Sequence, residues 1–294
     1  MKKLLLGILF SSFVLTGCVS KDTSARYDVA ISSDAERIAY STYGAGETAL
    51  IFIHGWSCDS RYWQKQLATF SKDYHVITID LAGHGHSSLG RHDYTMKSFA
   101  NDVKAVIEKD NLNQVILIGH SMGGGVMAEA ARLMPEKVVG IIGVDTLHNV
   151  AEPVPQKLLD DMAKPFEVDF KKAMGDFVLP MLPEGTDEEI IRWIKEDMSS
   201  APQEVAMSAF RNYMGQYVSG EAKVVFEDLT IPVVSINATL WPTNSEANKK
   251  HIQTYSLFYI EDTGHFPMLE KPKEFNMLLS EVLRYIDMKR NKDR

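Results

Sequence analysis

The chain has 294 residues, 45% of them hydrophobic and 24% charged, which suits one large globular unit or a core domain with an insertion. Its formal net charge of −8 provides no excess of Lys and Arg for a phosphate backbone, so nucleic acid is not an expected partner. Two cysteines, Cys18 and Cys58, are too few for a disulfide framework.

The N-terminus reads as a targeting segment. Lys2 and Lys3 make a positive start, and residues 4–15 form an apolar run below the ~20 residues that a spanning helix needs. Leu15-Thr16-Gly17-Cys18 follows and resembles the bacterial lipobox, in which cleavage precedes a cysteine that is then acylated. Residues 1–17 are expected to be a lipoprotein signal peptide, Cys18 the lipidated residue, and 18–26 a tether. That places the mature protein in a bacterial cell envelope, held to a membrane by an N-terminal lipid anchor. With Cys18 acylated, Cys58 has no partner within the chain.

The mature region opens with a predicted hairpin over 27–32 and 37–43. Residues 49–53 are a wholly apolar strand ending at His54-Gly55. A helix is expected over 62–70, and a strand over 75–79 ending at Asp80. Residues 96–109 are helical in pattern, with Phe99, Val103, Val106 and Ile107 as the apolar positions. The apolar run 115–118 is a strand, followed by Gly119-His120-Ser121-Met122-Gly123 and a helix-forming stretch at 126–134. Another strand covers 138–144 and ends at Asp145. Strands that are apolar on both sides, alternating with helices, imply a mainly parallel sheet covered on both faces.

The alternation stops after His148. Prolines punctuate helical pieces such as 187–198 and 203–217, in a stretch rich in Met and aromatic residues. This segment, 149–227, is expected to be a helical cap inserted between two parts of a core, 27–148 and 228–294. Most of those side chains would pack the cap, and a few would line an adaptable apolar pocket. Strands resume at 232–236 and 257–260, and an amphipathic helix over 275–288 closes the chain.

The pattern Gly-x-Ser-x-Gly is weak alone, but here it joins a strand to a helix. A Ser at the tip of such a turn is lifted above the sheet, and the next backbone N–H faces whatever it attacks. Three further segments accompany it in order: His54-Gly55-Trp56 after a strand, Asp80-Leu81-Ala82-Gly83-His84-Gly85-His86-Ser87, and Gly264-His265-Phe266-Pro267 with Glu270-Lys271-Pro272. Together these four features resemble the α/β-hydrolase superfamily over nearly all of the mature sequence. The resemblance implies an α/β fold with a mostly parallel eight-stranded sheet, helices on both faces and an inserted helical cap.

It also implies roles. Ser121 is the expected nucleophile and His265 its general base, since a Ser hydroxyl needs a base near neutral pH. The backbone N–H groups of Trp56 and Met122 are the expected oxyanion donors, and the Trp56 side chain could wall the acyl pocket. The acid departs from the commonest family pattern. The segment 237–244 after the late strand holds no Asp or Glu. Asp145, one helix and one strand beyond Ser121, is the favoured acid, as in some α/β hydrolases, including certain haloalkane dehalogenases. Competing readings are a strand-end Asp that caps the next turn, Glu246, and Asp262 near His265.

His120 is expected to pack beneath the turn, His54 to order the oxyanion loop, and His84 and His86 to be structural. No metal site and no cofactor are expected. The expected activity is hydrolysis of a small-molecule carboxylic ester with an apolar or aromatic part, through an acyl-enzyme. Lactonase, peptidase and C–C bond hydrolase chemistry share this machinery. A dehalogenase is disfavoured, because that chemistry uses Asp at the turn. A lipid-anchored binding protein that keeps the shape without turnover is the rival of another class.

Overall fold

The structure is a computed structural model and describes residues 25–292. The leader, Cys18 and the tether up to residue 24 lie outside the described residues. Arg26 already belongs to the first strand.

In chain order the strands are β1 (Arg26–Ile31), β2 (Arg37–Tyr43), β3 (Ala49–Ile53), β4 (His75–Ile79), β5 (Val115–His120), β6 (Val138–Val144), β7 (Val233–Ala238) and β8 (Tyr255–Ile260). They form one eight-stranded sheet in the order β1-β2-β4-β3-β5-β6-β7-β8. β2 is antiparallel to both β1 and β4, and every later pairing is parallel. Every residue of β3, β5 and β7 is buried, as expected of strands covered on both faces.

The helices are α1 (Gln64–Phe70), α2 (Met96–Lys109), α3 (Gly123–Leu133), α4 (Gln156–Val168), α5 (Phe170–Val178), α6 (Glu188–Ser199), α7 (Gln203–Ser219), α8 (Glu221–Glu227), α9 (Ser245–Lys249), α10 (Pro267–Glu270) and α11 (Pro272–Lys292). The helix expected over 62–70 is shorter. Asp59 accepts a hydrogen bond from Arg61 N–H and starts a 3-10 turn over Ser60–Trp63, so the α-helix begins only at Gln64. The closing helix is longer than its apolar pattern, because Pro272 supplies a ready first-turn residue. β8 begins two residues early, where Tyr255 and Ser256 pair with Val233 and Val234.

Register brings the carboxyl ends of the parallel strands level. Ile53 pairs with Gly119, His120 with Val144, and Val144 with Ile236. Loops leaving β3, β5, β6 and β7 therefore meet at one edge of the sheet, where sites in open α/β folds lie. Helices α4 to α8 come between β6 and β7. Trp56, just after β3, pins them to the core: its Nε1–H donates to Ala206 O of α7 at 2.7 Å. Its ring also sits 5.1–5.5 Å from those of Phe166, Phe177 and Phe210, which belong to α4, α5 and α7.

Candidate active site

β5 ends in a turn too tight for side chains at its base. A Cβ on Gly119 would lie 2.3 Å from Gly123 O, and one on Gly123 would lie 2.8 Å from His54 O. Ser121 sits at the tip with φ +51, a left-handed conformation that costs a non-glycine residue on the order of 1–3 kcal/mol and gathers at functional sites. The turn is held by Ser121 N–H donating to Val144 O at 3.1 Å and Gly124 N–H donating to Ser121 O at 2.9 Å. Met122 begins the turn into α3. Among the described residues, neither Met122 N–H nor Trp56 N–H donates to a protein acceptor.

His265 lies in the loop between β8 and α10 and is 8% exposed. Three elements hold that loop. Its N–H donates to Met181 O at 2.8 Å, and its carbonyl accepts from His120 Nε2–H at 2.8 Å. The Glu270 carboxylate accepts from Gly264 N–H at 2.8 Å and Phe266 N–H at 2.9 Å, bracketing the histidine. Burial raises the pKa of Glu270, and these two amides oppose the shift. The Met181 contact needs Gly264, where a Cβ would lie 2.2 Å from that carbonyl.

Asp145 follows β6 with φ +44 and is 1% exposed. Its Oδ2 lies 2.6 Å from His265 Nδ1, and its Oδ1 accepts from Ala238 N–H at 2.9 Å. Burial opposes ionisation of this carboxyl. The neighbouring His148 and His265 imidazoles outweigh it and hold the pKa below the usual carboxylate range. With Nδ1–H given to Asp145, His265 is left with Nε2 as its basic nitrogen. The rival acids lie elsewhere. Glu246 pairs with Lys249 at 2.9 Å, and the exposed Asp262 pairs with Lys271 at 3.5 Å.

His54 and His120 serve the framework. His54 Nδ1–H donates to Gly55 O at 2.8 Å while its Nε2 accepts from Leu81 N–H at 3.1 Å, which ties down the loop carrying Trp56. Burial holds His120 neutral, with its pKa pushed down to about 3, beneath the turn and 4.7 Å from the His265 ring. The Cys58 thiol is buried, donates to Trp56 O at 3.3 Å and is pushed to a higher pKa by burial.

Two cavities meet at Ser121 and His265. One, of about 120 Å³, is walled by Trp56, Met162, Phe177, Met181, Met198 and Phe210. The other, of about 610 Å³, is more polar, with His148, Asn149, Glu152, Trp241, Thr243 and Asn244 on its walls. Among the described residues no group of three or more His, Cys, Asp or Glu is placed to hold a metal ion, and no helix is long and apolar enough to cross a membrane.

The family model described as "alpha/beta hydrolase fold" matches residues 48–272. The chain belongs to the α/β-hydrolase family. Among curated relatives of this hydrolase, the 3-oxoadipate enol-lactonase 2 of Acinetobacter baylyi is 24% identical over 90% of this chain and 97% of its own. The pimeloyl-[acyl-carrier protein] methyl ester esterase of Photobacterium profundum is 28% identical, over 56% of this chain and 65% of its own. Among solved structures, a thermophilic esterase from Thermogutta terrifontis superposes with a TM-score of 0.76 at 22% identity, covering 89% of this chain and 99% of that one. The hydrolase fold thus brings Asp145 and His265 into contact across 120 residues and puts Ser121 on the wall of the same cavities.

Sequence reasoning left out Glu270, His148, Asn237, Thr243 and Met181 as parts of this site. Glu270 stood in a quoted motif, and its spacing from Gly264 was the available signal. The others act through contacts that no local pattern encodes.

Proposed function

We propose that this α/β hydrolase is a serine esterase that cleaves small-molecule carboxylic esters through an acyl-enzyme. One observation carries the reading. A Ser on a strained turn shares a cavity with a His whose Nδ1 is 2.6 Å from a buried carboxylate.

Ser121 Oγ attacks the ester carbonyl carbon as His265 Nε2 takes its proton. Asp145 holds the imidazole in the required tautomer and stabilises the imidazolium. The carbonyl oxygen takes up negative charge and is met by the Met122 and Trp56 N–H groups. When the tetrahedral intermediate collapses, the C–O bond to the alcohol breaks and His265 returns the proton to that oxygen. Water, activated by the same imidazole, then attacks the acyl-Ser121 carbonyl and releases the acid.

Cavity shapes sort the two halves of the ester. His265 borders both cavities, so the alcohol is assigned to the 610 Å³ one because it is the larger and more polar of the two. The 120 Å³ cavity beside Trp56 and Met122 then takes the acyl group, with room for about four water- or methylene-sized units. Its Met and aromatic walls suit a compact apolar acyl chain. A second reading is an internal ester, supported by the similarity to the enol-lactonase along 90% of this chain.

The test is a p-nitrophenyl ester series of increasing acyl length beside a lactone series, each with a Ser121→Ala control. Turnover is expected to peak at short acyl chains, fall as the chain outgrows the cavity, and vanish in the control. Lactone turnover far above that of every open-chain ester would favour the second reading. Hydrolysis that survives in Ser121→Ala would overturn both. A lipid anchor at Cys18 in a bacterial cell envelope remains part of the proposal, tested by whether Cys18→Ser releases the protein from membranes.

A further inference from the structure

The end of β7 and the loop that follows it, where the commonest family pattern puts its acid, carry a hydrogen-bond chain instead. Thr146 N–H donates to Asn237 Oδ1 at 3.2 Å, which orients the amide. Asn237 Nδ2–H donates to Thr243 Oγ1 at 2.8 Å. Thr243 Oγ1 lies 3.1 Å from His148 Nδ1. Thr243 Oγ1 has a second lone pair, so the tautomer is decided at the far nitrogen: an unprotonated Nε2 would turn its lone pair on the Asp145 carboxylate, so Nδ1 is the acceptor and the Thr243 hydroxyl donates to it. His148 then carries its proton on Nε2. That atom is buried, has no hydrogen-bond partner, and lies 3.8 Å from Asp145 Oδ2, the same oxygen that His265 engages. Asn244 N–H also donates to His148 O at 2.7 Å, locking the two loops together.

We propose that His148 is a positioning residue for the Asp145–His265 pair, oriented by the Asn237–Thr243 chain so that its Nε2–H faces the shared carboxylate oxygen. This rests on the serine-esterase reading above. The role is electrostatic. At 3.8 Å the contact is longer than a hydrogen bond, yet in a buried setting a donor dipole aimed at a carboxylate acts strongly. His148 competes with His265 for Oδ2, so the two imidazoles share the negative charge of that oxygen. It also keeps the carboxylate turned toward both rings.

Other titratable groups around the pair stay constant in the test: His120 from β5, Glu270 from α10, Glu152 from the segment after His148, and Tyr213 and Tyr217 from α7.

The experiment compares wild type with His148→Ala, Thr243→Val and Thr243→Ser. It reads kcat against pH for a short-chain p-nitrophenyl ester, and the His265 imidazole titration by NMR in a Ser121→Ala background. His148→Ala and Thr243→Val are expected to lower kcat about 10-fold and to move both the acid limb and the His265 titration to higher pH. Thr243→Ser, which keeps the hydroxyl, is expected to stay near wild type. Changes in KM alone, with kcat and the His265 titration unmoved, would make His148 a substrate contact and overturn the proposal. The NMR titration does not depend on turnover. A wild type without serine-dependent activity would therefore sink the esterase reading while this test still gave its own answer.

Discussion

At Asp145 the two carboxylate oxygens have separate tasks, so an amide in its place is a change of chemistry with little change of shape. If the amide introduced by Asp145→Asn kept its oxygen on Ala238 N–H, its NH₂ would face His265 Nδ1. His265 would then hold its proton on Nε2, where it cannot accept the one from Ser121. Asp145→Asn is expected to cut kcat by roughly 10⁴, the size of effect seen when a serine protease loses this carboxylate. Steady-state kinetics check it, and circular dichroism shows whether the fold is intact. At this scale the sequence was most legible where chemistry is local. Ser121 stood in a five-residue pattern, and Asp145 at the end of an apolar strand. His148 lay three residues on, but its value comes from Thr243 and Asn237, which a linear reading separates from it by about 90 residues.

Among the elements, apolar runs specified strands well because β3, β5 and β7 are buried on both sides and need no pattern beyond hydrophobicity. Helix starts were harder. The 3-10 turn at Ser60–Trp63 depends on Asp59 capping it, and α3 starts at Gly123 in a glycine run of poor helix propensity. Tertiary packing decides there, since the close approach of Gly123 to the backbone of Ile53 and His54 admits no Cβ. The loop carrying His265 shows the same limit. Its motif was visible, but the Met181 carbonyl that receives its N–H comes from the segment between β6 and β7. The Trp56–Ala206 hydrogen bond likewise joins the loop after β3 to α7. The segment between β6 and β7 therefore shares in holding the site, and loosening α7 would disturb the Trp56 loop as well as the cavity walls.

For the molecule as a whole, three buried imidazoles, His54, His84 and His120, have their pKa values pushed down by burial and set a pH dependence of stability. Burial holds His84 and His120 neutral, each with a pKa near 3 against an ordinary 6.5. Below about pH 6.5 the unfolded chain takes up protons that the folded chain refuses, so stability falls with pH until about 3. Each group contributes a slope approaching about 1.4 kcal/mol per pH unit within that window. The depressed carboxyl of Asp145 adds to the loss at still lower pH, because the unfolded carboxyl protonates first. Thermal unfolding followed from pH 7 to pH 4 is expected to show a steady fall in Tm, reduced in His84→Gln if that residue packs in place of the imidazole. A flat profile would mean that these rings titrate normally. The proposed mechanism turns on one covalent event, the acylation of Ser121 during turnover. The most direct measurement is intact-protein mass spectrometry of enzyme quenched in acid while it hydrolyses p-nitrophenyl butyrate, with peptide mapping of any adduct. A mass increase of one butyryl group on the peptide containing Ser121, absent from Ser121→Ala, is the predicted result. Turnover with no adduct at Ser121, or an adduct on another residue that survives in Ser121→Ala, would contradict the account.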